Sequence, residues 1–482
     1  VSAPLFTHRV DFIAENADAI LRSVPAAPGV FSLRGESGEP YLTRAADLRR
    51  RLRRLLAPPE ALDENGQPVL SKRLNLRDRV RVLEYTRTGS EFESTLLIYH
   101  ASRLAFGVEQ ARKRLRLHTP YLLRVTMSHE HPRAYVTNKL TRKSLAESFG
   151  PFPSRAAAER YCDAVLDLYK LRRCYEDLEP YPDHPGCVYG EMNKCLMPCK
   201  EGNPAACTRE QYEAESQRVA AFFQTRGQSM LDEVATQREA ASEAMEFETA
   251  ATLHKQWEKV RTAALLADEL VRPLTEVRAL LLQTAAPRED GTQHDEAAVF
   301  LFRNGHLCGP TRLSTLGVRA VREQTAVGSS LFAQPLMLAP VPLGEPATEE
   351  ATTVQTPEER TRALLDELSA QTEQTAPLDE FCDALSLLRR WYYRPEKQRA
   401  GEVFLPNTDG SWPIRRILNG AARVVLGPPT EAAPVDREAA KEMKTKILHP
   451  GREGVEREVQ ALPKRSRRSK GITPADVLED SK

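Results

Sequence analysis

The 482 residues hold no uninterrupted apolar stretch of the roughly eighteen residues that a membrane helix needs. The first residues, VSAPLFTHRVDF, lack the charged segment and apolar run of a secretory leader. Both absences favour a cytosolic (cytoplasmic) protein with no membrane partner. An excess of either charge is lacking too, since 68 Lys and Arg stand against 67 Asp and Glu. No global field therefore draws the chain onto nucleic acid, and any such contact has to come from local clusters. Eight cysteines are too few for a disulfide scaffold in a chain this long, and in a reducing compartment clustered cysteines bind metal more often than they pair. Internal repeats are absent, which leaves roughly three or four ordinary domains.

One local cluster of charge stands out. The stretch GEPYLTRAADLRRRLRRLL, residues 38–56, carries six arginines between Arg44 and Arg54 and places Leu48, Leu52, Leu55 and Leu56 on one helical face. The leucines predict a helix buried on one side, with Thr43 as a possible N-cap. Burial accounts for the leucines and not for the arginines.

The rest of the chain reads as a multidomain α/β protein. PGVFSLRG, the ESGE turn and PYLTRA predict strand, turn and strand; VRVLEYT predicts another strand and SEFESTLLIYHASRL a helix, giving a small α/β domain over 22–115. PYLLRVTM and HPRAYVTNKL predict a hairpin, and SRAAAERYCDAVLDLYKLRRC a helix, in a cysteine-bearing region over 116–210. A helical region follows over 211–270, broken inside only by Gly227, and then a β-rich segment over 271–337 in which Asn304-Gly305 marks a hairpin. Residues 338–360 read as a proline-, threonine- and glutamate-rich linker. LDEFCDALSLLRRWYYR predicts an amphipathic helix in an α/β segment over 361–445, and 446–482 a disordered basic tail whose KRSRRSK can touch phosphates.

Cys174, Cys187, Cys195 and Cys199 are separated by twelve, seven and three residues. Four thiolates gathered in this way suit a soft tetrahedral site, and the spacing leaves structural zinc and an iron–sulfur cluster both open. The lack of any C-x-x-C pair weighs against a zinc ribbon. His184, in the turn-like YPDHPG, reads as structural, and Cys162 and Cys207 as unclustered cysteines.

The string FGPFPSRAAAERYCDAVLDLYKLRRC followed by GCVYGEMNKCLMPC closely resembles the cysteine-bearing region of the UvrC family, the incision subunits of bacterial nucleotide excision repair. PGVFSLRG and PYLTRAADLRRRL resemble the GIY-YIG nuclease domain of that family. MLDEVATQREAASEAMEFETAATLHKQWEKV resembles its UVR helical hairpin, the element that contacts the helicase-like subunit UvrB. The resemblance implies DNA and UvrB, or a protein with a similar hairpin, as partners. It also implies a [4Fe-4S] cluster on the four cysteines, with zinc as the alternative, and a partner surface at Phe247, Ala251, Leu253 and Trp257. The family's RNase H-like nuclease and helix-hairpin-helix module find no counterpart here, which makes the chain similar to the shortened, single-nuclease relatives known as Cho.

GIY-YIG chemistry needs a carboxylate to hold one divalent metal, a tyrosine near the attacking water, and cations for the phosphate. The resemblance maps Tyr41 and Arg51 onto the catalytic tyrosine and arginine, and Arg44, Arg49, Arg51 and Arg53 onto a DNA-contacting face. Three positions depart from the pattern: Phe31 stands for a tyrosine, Thr43 for a glycine, and Ile98 for the metal-binding glutamate. Glu91 and Glu93, earlier on the same predicted helix, are expected to face elsewhere. The implied protein binds DNA and UvrB with its nuclease impaired or lost. Two alternatives are an active single-incision nuclease, with magnesium on Glu91 or Glu93, and a non-catalytic interaction scaffold.

Overall fold

Leu48, Leu52, Leu55 and Leu56 are all buried, and they cover the first of three four-stranded antiparallel sheets in the computed structural model. The structure describes residues 5–56, 58, 74–204, 206–288, 295–315, 355–395 and 398–426. Most of the expected linker over 338–360 and all of the basic tail over 446–482 lie outside the described residues.

The first sheet comprises β1 (His8–Asp11), β2 (Gly29–Arg34), β3 (Tyr41–Ala45) and β4 (Val82–Arg87) in the order β1-β4-β2-β3. β1 lies ahead of the expected domain start at 22. None of its four residues is buried, so it carries no apolar signal. Helices α1 (Ala17–Ser23) and α2 (Leu48–Leu56) close the core around Phe12, Phe31 and Leu33. The cap of α2 differs from the expectation. Asp47 Oδ1 accepts the Arg50 amide at 2.9 Å, the contact of an N-cap with the third helical residue. Thr43 instead belongs to β3, in register with Phe31.

Helix α3 (Glu91–Leu115) begins at Ser90, whose hydroxyl accepts the Glu93 amide at 3.1 Å, and it is kinked at Gly107. The second sheet has the order β6-β5-β7-β8, with β5 (Tyr121–Val125) and β6 (Ala134–Thr137) forming the expected antiparallel pair. β7 (Ser148–Phe152), the FGPF stretch, is a strand that the glycine and proline disguise. β8 (Arg272–Pro273) arrives from beyond the helical region. Helices α4 (Arg155–Leu166), α6 (Arg209–Thr225), α7 (Gln228–Glu243) and α8 (Phe247–Ala264) share one core with this sheet, including Phe152, Tyr161, Phe222, Phe223 and Val260. A short helix, α5 (Val188–Glu191), lies in the cysteine loop.

The third sheet has the order β11-β10-β9-β12, from β9 (Arg278–Thr284), β10 (Glu296–Arg303), β11 (His306–Ser314) and β12 (Glu402–Phe404). Asn304 and Gly305, at φ 50° and 79°, make the tight turn between β10 and β11 that their dipeptide signals. Helix α9 (Pro357–Ala370) is capped by a reciprocal Thr356–Glu359 box, so the linker expected to reach 360 gives way to helix at 357. α9 and α11 (Ile414–Leu426) cover one face of this sheet, while α10 (Leu378–Tyr392) and α3 cover the other.

A buried polar clamp fixes α3 to α10. Tyr99 donates its hydroxyl to Asp383 Oδ2 at 2.9 Å, and Arg112 Nε donates to Asp383 Oδ1 at 2.7 Å. No helix among the described residues is long and apolar enough to cross a membrane.

Candidate nucleic-acid interface and cysteine loop

β3 is the edge of the first sheet, and the alternation of a strand divides its side chains between two faces. Tyr41 packs on the α2 side, where Arg51 Nη2 donates to its hydroxyl at 3.2 Å. The structure thus brings together the two residues matched to the catalytic pair. Phe31, fully buried, lies with its ring centroid 6.2 Å from that of Tyr41 and supplies no hydroxyl. Thr43 is half-buried and pairs with Phe31 across the two strands. Among the arginines, Arg53 is exposed, as are Arg50 and Arg54. Arg49 is half-buried and donates Nε to the Val24 carbonyl at 2.6 Å, so part of its guanidinium is committed to holding α2 against α1.

Arg44 projects from the other face of β3, toward α3, and its Nη1 lies 2.7 Å from Glu91 Oε1. A second guanidinium reaches the same carboxylate. Arg394, just past α10, places Nη1 at 3.0 Å from Glu91 Oε2 and Nη2 at 3.4 Å from Oε1. The hydrogen bond from Arg394, then that from Arg44, holds the Glu91 carboxyl below the usual carboxylate range. Arg394 is 303 positions away in sequence, and nothing local in RPE foretold its role.

Glu91 stands seven residues before Ile98, a spacing that returns to the same helical face two turns on. The expectation that it faces elsewhere is therefore corrected: it faces the β3 side, and its carboxylate is already shared by two cations. Glu93 does point elsewhere. It is buried and accepts the Gly89 amide at 2.7 Å. Burial pushes its carboxyl up to about 7, against lowering by the Gly89 amide and by Arg312. A buried carboxyl whose ionisation is opposed by its surroundings is a poor ligand for a hard divalent cation. Ile98, half-buried, has no oxygen to offer.

The cysteine loop is anchored by Arg172, 2% exposed, which donates to the carbonyls of His131 and Glu176, both at 3.0 Å, and reaches Cys174 Sγ at 3.7 Å. Arg133 Nη1 donates to the Cys174 carbonyl at 3.1 Å. Cys187 opens α5, and the loop folds back so that a side chain at Gly190 would collide with Met197 Sδ at 2.5 Å. The Tyr181 amide donates to the Cys199 carbonyl at 3.1 Å, and the Met197 amide to Cys195 Sγ at 3.3 Å. Burial pushes the Cys195 thiol up to about 12, with further contributions from Cys187, Cys174 and Cys199. Cys195 and Cys199 thus each lie within electrostatic reach of Cys174 and Cys187. Among the described residues, however, no three His, Cys, Asp or Glu side chains stand close enough to hold a metal ion as placed. The donors fit a thiophilic centre in kind, with Cys195 and Cys199 buried and Cys174 and Cys187 half-buried. His184 Nδ1 accepts the Gly186 amide at 2.9 Å, in keeping with a structural histidine. Cys162 sits apart on α4, in the core.

The hairpin of α7 and α8 divides its apolar residues. Val234 and Ala241 are buried, and Leu253 and Trp257, expected on a partner surface, are half-buried against the chain's own core. Phe247 is 70% exposed and Met245, at the turn, 76% exposed, and Ala251 is also exposed. Exposed apolar residues thus stand at the tip, and Leu265 and Leu266, just past the end of α8, add a second exposed pair at the other end.

Residues 120–222, which hold the second sheet's first three strands, the cysteine loop and most of α6, match the family described as UvrC/Cho excinuclease, middle domain. The UvrABC system protein C of Desulforudis audaxviator is 30% identical over 340 residues, which is 67% of this chain and 51% of that protein. The proteins of the same name from Hyphomonas neptunium and Haemophilus ducreyi are 29% and 27% identical, each over 51% of this chain and 37% and 38% of their own lengths. The chain thus spans about half the length of the first of these relatives and less of the others. No solved structure matches. With the four-cysteine loop inside the matched stretch and the likeness to the Desulforudis protein extending well beyond it, the chain belongs to the UvrC family.

Proposed function

We propose that this protein serves nucleotide excision repair as a DNA- and UvrB-binding member of the UvrC family whose GIY-YIG-like domain holds the phosphate backbone without efficient incision. The observation that carries the reading is the pairing of Glu91 with both Arg44 and Arg394 on the helix face where Ile98 replaces the metal-binding residue. Cations and the Tyr41–Arg51 pair remain for phosphate, and the Glu91 carboxylate on that face is already shared by two guanidiniums. A divalent cation on Glu91 would sit beside the guanidiniums of Arg44 and Arg394, whose like charge repels it. Rebuilding the metal site on Glu93 requires turning a buried carboxyl outward. Either route opposes the metal coordination on which phosphodiester hydrolysis of this kind depends.

The tip of the α7–α8 hairpin, with Met245, Phe247 and Ala251, offers an apolar docking surface for UvrB or a protein with a similar hairpin. Cys174, Cys187, Cys195 and Cys199 would hold a [4Fe-4S] cluster, or zinc in its place, and would tie the loop to the second sheet. The bound centre would supply a cross-link, and redox capacity if it is iron–sulfur. Titration of a labelled duplex at several salt concentrations tests the DNA reading: affinity should fall steeply with salt and weaken on Arg51→Ala. Affinity indifferent to both would favour the scaffold reading.

A further inference from the structure

We infer that Arg394 and Arg44 together form a phosphodiester-binding fork on the first domain, and that the carboxylate of Glu91 occupies this fork until a nucleic-acid phosphate displaces it. The inference rests on the DNA-binding reading above and adds to it a residue from the far end of the chain.

Two guanidiniums converge on one carboxylate, and all three groups stay open to solvent: Arg44 and Glu91 are each 50% exposed and Arg394 is 30% exposed at the side chain. A carboxylate and a phosphodiester both present a pair of anionic oxygens, and the planar guanidinium matches either. The arrangement that grips Glu91 is thus one that can grip a backbone phosphate. With one anion between two cations, the group keeps a net positive charge facing solvent. Exposed pairs of this kind are weak, so exchange of one anion for another costs little.

Arg394 is not needed to fasten α10 to the rest of the chain. Asp383, 4% exposed at the side chain, already locks α10 to α3 through Arg112 and Tyr99. Arg389 donates to the carbonyls of Phe152 and Pro153, and Arg390 to those of Leu115 and Arg116. The arginines within α10 are thus spent on backbone carbonyls, whereas Arg394 is spent on an exposed, exchangeable carboxylate. Arg44 lies on the same edge strand as Tyr41 but projects from its opposite face, so a nucleic-acid strand crossing the β3 edge would meet the fork on one face and the Tyr41–Arg51 pair on the other.

The test is fluorescence anisotropy of the full chain with a labelled duplex across a salt series, using Arg394→Ala and Glu91→Gln. Arg394→Ala should weaken binding about three- to tenfold and lower the slope of log affinity against log salt by about 0.9, the loss of roughly one phosphate contact. Glu91→Gln should tighten binding about threefold, because it frees both guanidiniums. An unfolded variant cannot bind more tightly, so the second substitution separates loss of a contact from loss of fold. Wild-type binding left unchanged by either substitution overturns the fork and leaves Arg394 as a strap. A wild-type chain with no affinity for duplex overturns the DNA-binding reading itself.

Discussion

Glu93 offers a stability measurement that bears directly on the nuclease question. The residue is 8% exposed, and burial raises its carboxyl from its ordinary 4.5 to about 7. A group whose folded value lies above its unfolded value contributes stability that is full below the unfolded value and is lost as pH rises through the folded one. The window here runs from about 4.5 to about 7, and the loss across it is about 3 kcal/mol. Glu93→Gln keeps an oxygen for the Gly89 amide and removes the ionisation. The variant should therefore exceed the wild type by about 3 kcal/mol at pH 8 and by only about 1 kcal/mol at pH 5. Urea unfolding at the two pH values, followed by tryptophan fluorescence, reads the difference, with Trp391 in the same core as α3. An equal effect at both pH values would refute the reasoning. It would mean that Glu93 is solvated and free to turn toward the cleft, which would reopen it as a metal ligand.

Further outcomes follow from other parts of the fold. Asp383→Ala should destabilise the protein by about 3 kcal/mol, because it leaves the Arg112 guanidinium and the Tyr99 hydroxyl without their shared buried acceptor; the midpoint of the same urea titration measures this. Phe247→Asp should abolish UvrB pull-down while leaving the thermal midpoint near that of wild type, since the ring is 70% exposed and contributes little to the chain's own core. Anaerobically purified protein should carry iron and inorganic sulfide, lost on Cys199→Ser and retained on Cys162→Ser; stoichiometric zinc without iron would transfer the four cysteines to the zinc reading.

What the sequence revealed and what it hid have physical causes. The leucines of α2 were legible because burial on one helical face imposes a spacing, and the Asn304-Gly305 turn because two successive positive φ values admit few residue types. The hairpin of α7 and α8 was legible through the family resemblance, which could not tell Leu253 and Trp257, packed inward, from Phe247, which faces solvent. Thr43 was misplaced as a cap because Asp47, three residues before the amide it accepts, fits the same rule more closely. β1 and β7 were hidden, the one short and unburied, the other written with glycine and proline. In the candidate site, Tyr41 and Arg51 could be paired through the family pattern. Arg394 could not, because its contact with Glu91 is made by tertiary packing of α10 on α3 and leaves no trace in local sequence.

The central claim is that backbone binding persists in this protein where efficient incision does not. The most direct measurement is a nicking assay on damaged duplex with magnesium or manganese, with and without UvrB, at protein concentrations where anisotropy shows the duplex bound. The account predicts a bound and uncut duplex under all of these conditions. Robust metal-dependent incision by the wild-type chain, abolished by Arg51→Ala, would contradict it and would place a working carboxylate in the cleft.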